Sequence, residues 1–120
     1  PMSMDKFTTQ TQHLFQQAQS HAIGRSHGQL DVDHVAMALC EFAGEQDADN
    51  PTRQLLNHSR SLIAPWADRS LAAKPTLQNV PDQLYATSCL QHWITQADRQ
   101  ARQLGDSYIN PEHFVLAMFD

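Results

Sequence analysis

Displaced against itself by 79 positions, the chain lays Ala18 on Ala97, Ala22 on Ala101, Leu30 on Ile109, Asp33 on Glu112, His34 on His113 and Ala38 on Ala117. An internal repeat constrains a fold more than any local signal, because each copy must bury its apolar face against the other. Each copy reads as a long helix, a short polar loop, an acid-His pair and an apolar helix. Alanines four apart on one helix face let a neighbouring helix approach closely. Asp33 and Glu112 fall at the second helical position, behind Asp31 and Asn110 as N-caps. A carboxylate there meets unpaired backbone N–H groups and the positive end of the helix dipole, which stabilises a helix by about 0.3–1 kcal/mol with no function implied. A histidine beside it in both copies makes the constellation more specific than a single acidic first turn.

The remaining pattern is helical. Phe7, Thr11, Leu14, Phe15, Ala18 and Ala22 recur at i, i+3, i+4 spacing, with Thr8 or Thr9 as N-cap and Gln12 as capping-box partner. A second helix starts at Asp31, with Val35, Ala38, Leu39 and Phe42 on one face, and stops near Gly44. Asn50-Pro51 predicts a short helix over 51–57 and Pro65 another over 65–73. Lys74 to Asn79 reads as a linker. Pro81-Asp82 predicts the start of the longest helix, through Leu90, Trp93, Ile94, Ala97 and Ala101 to Gly105. Asn110-Pro111 opens a last helix through Phe114, Val115 and Met118. No run alternates at period two, so the fold class is all-α, a pseudo-twofold repeat of helical units in a compact bundle. Repeat one spans about 5–74, the linker 75–80 and a shortened repeat two about 81–120; residues 1–4 are read as a scar or disordered N-terminus outside the fold.

Composition excludes several classes. Net charge is −5 and only Lys6 and Lys74 are lysines, so no basic stripe exists for nucleic acid or an anionic membrane. No apolar run approaches the ~18 residues of a membrane span, and no signal-peptide core precedes Phe7, so a cytoplasmic protein is expected. Cys40 and Cys89 fall in apolar helical patterns and read as buried free thiols. The seven histidines include no pair at one-turn spacing and no CxxC accompanies them, so no metal site is expected. Neither a nucleophile elbow nor a Gly-x4-Gly-Lys phosphate loop occurs. Trp66 and Trp93 read as core.

Asp5-Lys6-Phe7-Thr8, the Ala18-x-x-x-Ala22 helix, Asp33-His34 leading into Val35-Ala36-Met37-Ala38-Leu39, and the second copy Gly105 to Ala117 together resemble the Clp N-terminal repeat domain. That domain belongs to Clp-type AAA+ unfoldases. The second copy is nearest the ClpB and ClpC types, with ClpA and ClpV more distant, and the likeness covers Asp5 to Phe119. It implies a non-catalytic binding module tethered to an ATPase ring, with no cofactor in this domain and ATP in the parent protein. The implied partners are unfolded or aggregated polypeptide, or an adaptor protein, with the AAA+ ring in cis; the isolated domain is expected to be monomeric. Family positions for polypeptide binding match Thr8, Asp106 and Glu112. Asp33 and Glu112 match acidic positions that receive phosphorylated arginine in ClpC relatives, although Asp33 is one methylene shorter than the usual glutamate. His113 is a further candidate for lining the ligand groove. The alternative implied by ClpA and ClpV is docking of a single adaptor or partner, or a free-standing regulatory relative.

Overall fold

The computed structural model describes residues 4–119, so part of the expected N-terminal stretch, residues 1–3, lies outside the described residues. Met4, at its edge, packs against the core. Six helices follow: α1 Thr9–Gly24, α2 Val32–Glu45, α3 Pro51–Leu55, α4 Arg60–Ala73, α5 Ser88–Gln103 and α6 Pro111–Met118. Helix α1 packs on α2, α2 on α4, and α5 on α6, while the short α3 reaches across to α6. No helix among the described residues is long and apolar enough to cross a membrane.

The repeat is joined by two isolated parallel β-bridges, Phe7 with Ile109 and Leu30 with Ala86. The displacement that aligns the repeats turns one bridge into the other. Ile109 N–H donates to Lys6 O at 2.7 Å and Thr8 N–H to Ile109 O at 3.2 Å. Correspondingly, Leu30 N–H donates to Tyr85 O at 3.0 Å and Thr87 N–H to Leu30 O at 2.9 Å. Each repeat thus gives the other a short extended edge. This pairing explains why α5 does not begin at Pro81-Asp82: the backbone at Tyr85 and Thr87 is committed to Leu30, and Leu84 and Ala86 are buried beside it. The helix starts only after Thr87, whose hydroxyl accepts from Leu90 N–H at 3.2 Å.

Two other predicted boundaries shift. Thr8, not Thr9, caps α1, accepting from Thr11 N–H, and Gln12 donates to Phe7 O. Helix α4 begins at Arg60, so Pro65 lies inside it rather than at its start. The missing proline N–H leaves the carbonyl of exposed Ser61 to water, which makes the interruption tolerable.

The four paired alanines of α1 and α5, Ala18, Ala22, Ala97 and Ala101, are buried. Ala22 O also receives His27 N–H at 2.9 Å and Arg25 N–H at 3.3 Å, so neither side chain nor backbone can move aside there. Ala22→Leu is therefore expected to lower stability by about 1–3 kcal/mol through overpacking, read as a fall in urea midpoint at unchanged m-value. Cys40 is buried as expected, and burial pushes its thiol pKa up. Cys89 is exposed rather than buried as the apolar pattern suggested, because it shares the solvent side of the first turns of α5 with Ser88, Gln91 and His92 while Leu90 takes the inward position.

Candidate functional site

The sequence-predicted residues fall into two environments. Thr8 Oγ1 caps α1 and lies 3.3 Å from Ile109 O, which also accepts from Thr11 Oγ1 at 2.7 Å. The Thr8 hydroxyl thus ties repeat one to the loop before α6, three residues from both Asp106 and Glu112. His113 is buried; its Nδ1 accepts from Asn110 N–H at 2.8 Å, which leaves Nε2 as the protonated nitrogen. Nε2–H donates to Asp106 Oδ2 at 2.8 Å, and the Asp106 side chain is 46% exposed. Glu112, partly buried at the start of α6, has no ion-pair partner among the described residues. These four residues are brought to one end of repeat two.

Asp33 is not with them. It is buried at the start of α2, where Oδ1 accepts from His34 N–H at 2.9 Å. Oδ2 takes the Ser70 hydroxyl at 2.7 Å and lies 3.1 Å from Lys74 Nζ. Lys74 also reaches Asp31 at 3.2 Å, and Asp31 accepts from Thr87 Oγ1 at 2.7 Å. Burial alone would raise the Asp31 carboxyl, but hydrogen bonds from Thr87 and Val32 N–H, with the Lys74 ammonium, hold it below its ordinary value. Burial lowers Lys74, yet the two carboxylates outweigh it and raise it. Helix α4 and Lys74 therefore close the repeat-one constellation, and Asp33 presents nothing to solvent.

Repeat one reproduces the His113 arrangement with one exchange. His34 Nδ1 accepts from Asp31 N–H at 2.9 Å, and its Nε2 lies 2.8 Å from His27 Nδ1. His27 stands where Asp106 stands in repeat two. Thr87, the counterpart of Thr8, is legible at the same displacement of the chain, whereas the exchange of aspartate for histidine at position 27 hides the correspondence of His27 with Asp106.

A second feature lay beyond the sequence pattern. Val32 and Ala36 of α2, Ile63 and Trp66 of α4, Trp93 of α5 and Met118 of α6 line an open groove of about 390 Å³. Trp93 Nε1–H donates to Phe114 O at 2.9 Å, which fixes its ring across the floor. Trp66 is 43% exposed. Neither tryptophan is a sealed core residue, because four helices converge here without a fifth element to cover them.

The chain matches the family model of the Clp repeat (R) N-terminal domain over residues 6–120. It belongs to the Clp N-terminal domain family. As a Clp N-terminal domain it is similar to the chaperone protein ClpB of Bacillus cereus, at 32% identity over 97% of this chain and 14% of that protein. ClpB of Pseudomonas putida is 29% identical over 99% of this chain and 14% of that protein. The chain therefore spans about one-seventh of the length of the curated relatives it matches. Among solved structures, the Hsp104 N-terminal domain from Candida albicans superposes with a TM-score of 0.77 at 20% identity, over 97% of this chain and 75% of that one. The N-terminal domain of ClpD from Arabidopsis thaliana gives 0.66 at 16% identity, over 98% and 78%. These structures share the all-α fold described above.

Proposed function

We propose that this Clp N-terminal domain captures exposed apolar stretches of non-native polypeptide for an ATP-driven unfoldase ring carried by the same protein. The open apolar groove between the two tryptophans supports this reading most directly, since large apolar surface left in water marks an interaction site. A groove lined by Val, Ala, Ile, Trp and Met makes no sequence-specific hydrogen bonds, which suits a binder that must accept many segments and release each. Asp106 and Glu112 add negative charge for basic side chains of the client, and Thr8 holds the loop that carries them.

The test is an NMR amide-shift titration with a casein, which is unfolded without aggregating. Fast-exchange shifts are expected at Ala36, Ile63, Trp66 and Trp93, and Trp66→Ala should weaken binding about tenfold with unchanged far-UV circular dichroism. A flat titration at high casein concentration would overturn general capture in favour of docking to one folded partner.

A further inference from the structure

The two bridges that join the repeats correspond at the displacement that aligns them, yet different chemistry anchors each. At Phe7–Ile109, Ile109 O accepts Thr8 N–H at 3.2 Å and the Thr11 hydroxyl at 2.7 Å, and neither donor titrates. Phe7 continues into the aromatic cluster, its ring centroid 4.8 Å from that of Phe15. At Leu30–Ala86 the counterpart of Thr8 donates elsewhere: the Thr87 hydroxyl goes to Asp31 Oδ1 at 2.7 Å. Asp31 stands where repeat two has neutral Asn110. Lys74 Nζ lies 3.2 Å from Asp31 and 3.1 Å from Asp33. Charges hold this joint, whereas hydroxyls and rings hold the other.

The histidine pair sits at the same joint. His34 Nδ1 accepts from the N–H of Asp31, the residue after Leu30, and Nε2–H donates to His27 Nδ1 at 2.8 Å. A second proton on His34 lands on Nδ1 and meets the Asp31 N–H; one on His27 lands on Nδ1 and meets the His34 Nε2–H. In repeat two the place of His27 is taken by Asp106, whose carboxylate balances a charge on the ring of His113. The charged groups around the pair are Arg25 from the α1–α2 loop, held by His21 at 3.0 Å, Asp31 and Asp33 from the start of α2, and Lys74 after α4. Asp33 Oδ1 is 3.5 Å from His34 Nδ1. An imidazolium therefore turns from the Asp31 N–H to Asp33 and competes there with Lys74 and the Ser70 hydroxyl. Asp31 N–H is left without its acceptor and Lys74 without half of its ion pairing. Burial keeps both rings neutral while the joint is closed, lowering His27 and taking His34 to about 4. An open joint returns them to water and to the ordinary 6.5. Closure is thus fully favoured above 6.5 and loses ground as pH falls from there toward 4.

We propose that the Leu30–Ala86 bridge is an acid-released joint and the Phe7–Ile109 bridge a fixed pivot, so that acid parts the two repeats on one side only. The tryptophan groove lies across this division: Val32, Ala36, Ile63 and Trp66 come from repeat one, Trp93 and Met118 from repeat two. Val32 follows Asp31 directly, so the groove widens first at its Val32 end. Acid then loosens the grip on whatever the groove carries. That consequence rests on the reading of the groove as a polypeptide site; the joint itself does not.

The test is amide hydrogen exchange followed by NMR on the 120-residue chain, at pH 7 and pH 5, with and without sub-denaturing urea. Four amides make the bridges: Leu30 and Thr87 at the joint, Thr8 and Ile109 at the pivot. Amides that exchange through whole-domain unfolding speed up with urea, whereas those freed by a local opening do not. Leu30 and Thr87 should exchange without a urea slope, and their protection should fall about 20-fold from pH 7 to pH 5. That ratio follows from one histidine titrating at 6.5 when open and about 4 when closed. Thr8 and Ile109 should keep the urea slope of the whole domain. His34→Gln should abolish the fall at Leu30 and Thr87, and Lys74→Met should lower their protection about fivefold already at pH 7. If all four amides share one urea slope, the domain opens as a whole and the joint is overturned. A local opening at Leu30 and Thr87 with equal protection at both pH values would overturn its control by acid. A flat casein titration at pH 7 would overturn the groove and leave the four-amide result to decide the joint.

Discussion

Phe114→Ala should lower the stability of this domain by about 3–5 kcal/mol, a large part of the ~5–15 kcal/mol available to a domain of this size. Phe114 is fully buried in α6 and is the ring at which both repeats meet. Its centroid lies 5.5 Å from Phe15 of α1, 6.1 Å from Phe7 of the bridge segment and 5.4 Å from Trp93 of α5. The contacts with Phe7 and Trp93 are edge-on, at 80° and 86°, the arrangement that aromatic quadrupoles favour. Truncation removes three aromatic contacts at once and leaves a void walled by stiff rings that cannot collapse into it. The hydrogen bond from Trp93 Nε1–H goes to the backbone carbonyl of residue 114 and survives the substitution, so the loss measured is one of packing. Urea unfolding followed by tryptophan fluorescence measures the loss. A shift under about 1 kcal/mol would mean that the two bridges, rather than this cluster, hold the repeats together.

That cluster shows what the sequence could and could not disclose. Phe7, Phe15 and Phe114 announce themselves as apolar positions at helical spacing, and the repeat implies that the copies pack on each other. The bridges could not be read, because a single pair of extended residues leaves no period-two signature. Pro81-Asp82 carries a strong helix-start signal, yet tertiary pairing at Tyr85 and Thr87 overrides it. Pro65 misled in the same way, since helical propensity says where a proline is cheapest and not where α4 must begin to cover α2. Of the candidate site, Thr8, Asp106 and Glu112 come through resemblance and lie near one another, whereas His113, expected to line a ligand groove, is fully buried with both ring nitrogens committed to Asn110 N–H and Asp106. Asp33 enters through the same resemblance, as the first of two acidic positions that receive phosphorylated arginine, whereas the closing of α4 and Lys74 over one copy only is a tertiary event. The tryptophan groove needed four helices in their places before it existed at all.

The second large effect is a loss of stability in acid that originates in repeat one. Burial, opposed by Asp33 and assisted by His27 and Lys74, lowers His34 from 6.5 to about 4. Burial also lowers His27, with Lys74 and Arg25 adding to it against Asp33. The geometry gives the reason: Nδ1 of His34 is already occupied by Asp31 N–H, and Nε2–H already points at His27, so a further proton has no acceptor. Above about pH 6.5 His34 is neutral in both folded and unfolded chains and its full contribution is present. As pH falls from 6.5 toward 4 the unfolded chain takes up the proton and the folded chain does not, so stability drops by about 1.4 kcal/mol per pH unit for this group, roughly 3 kcal/mol in all. Below about pH 4 both states are protonated and this loss levels off. Asp31, held below its ordinary 3.8, contributes stability above 3.8 and loses it below, so its window lies under that of His34. His34→Gln separates the two, because a glutamine can accept from Asp31 N–H through Oε1 and donate to His27 through Nε2 without titrating. Urea midpoints between pH 7.5 and 4.5 should fall steeply for the parent and far less for His34→Gln. If both fall alike, the acid sensitivity belongs to other groups, and the buried histidine pair is a packing contact that pH does not disturb.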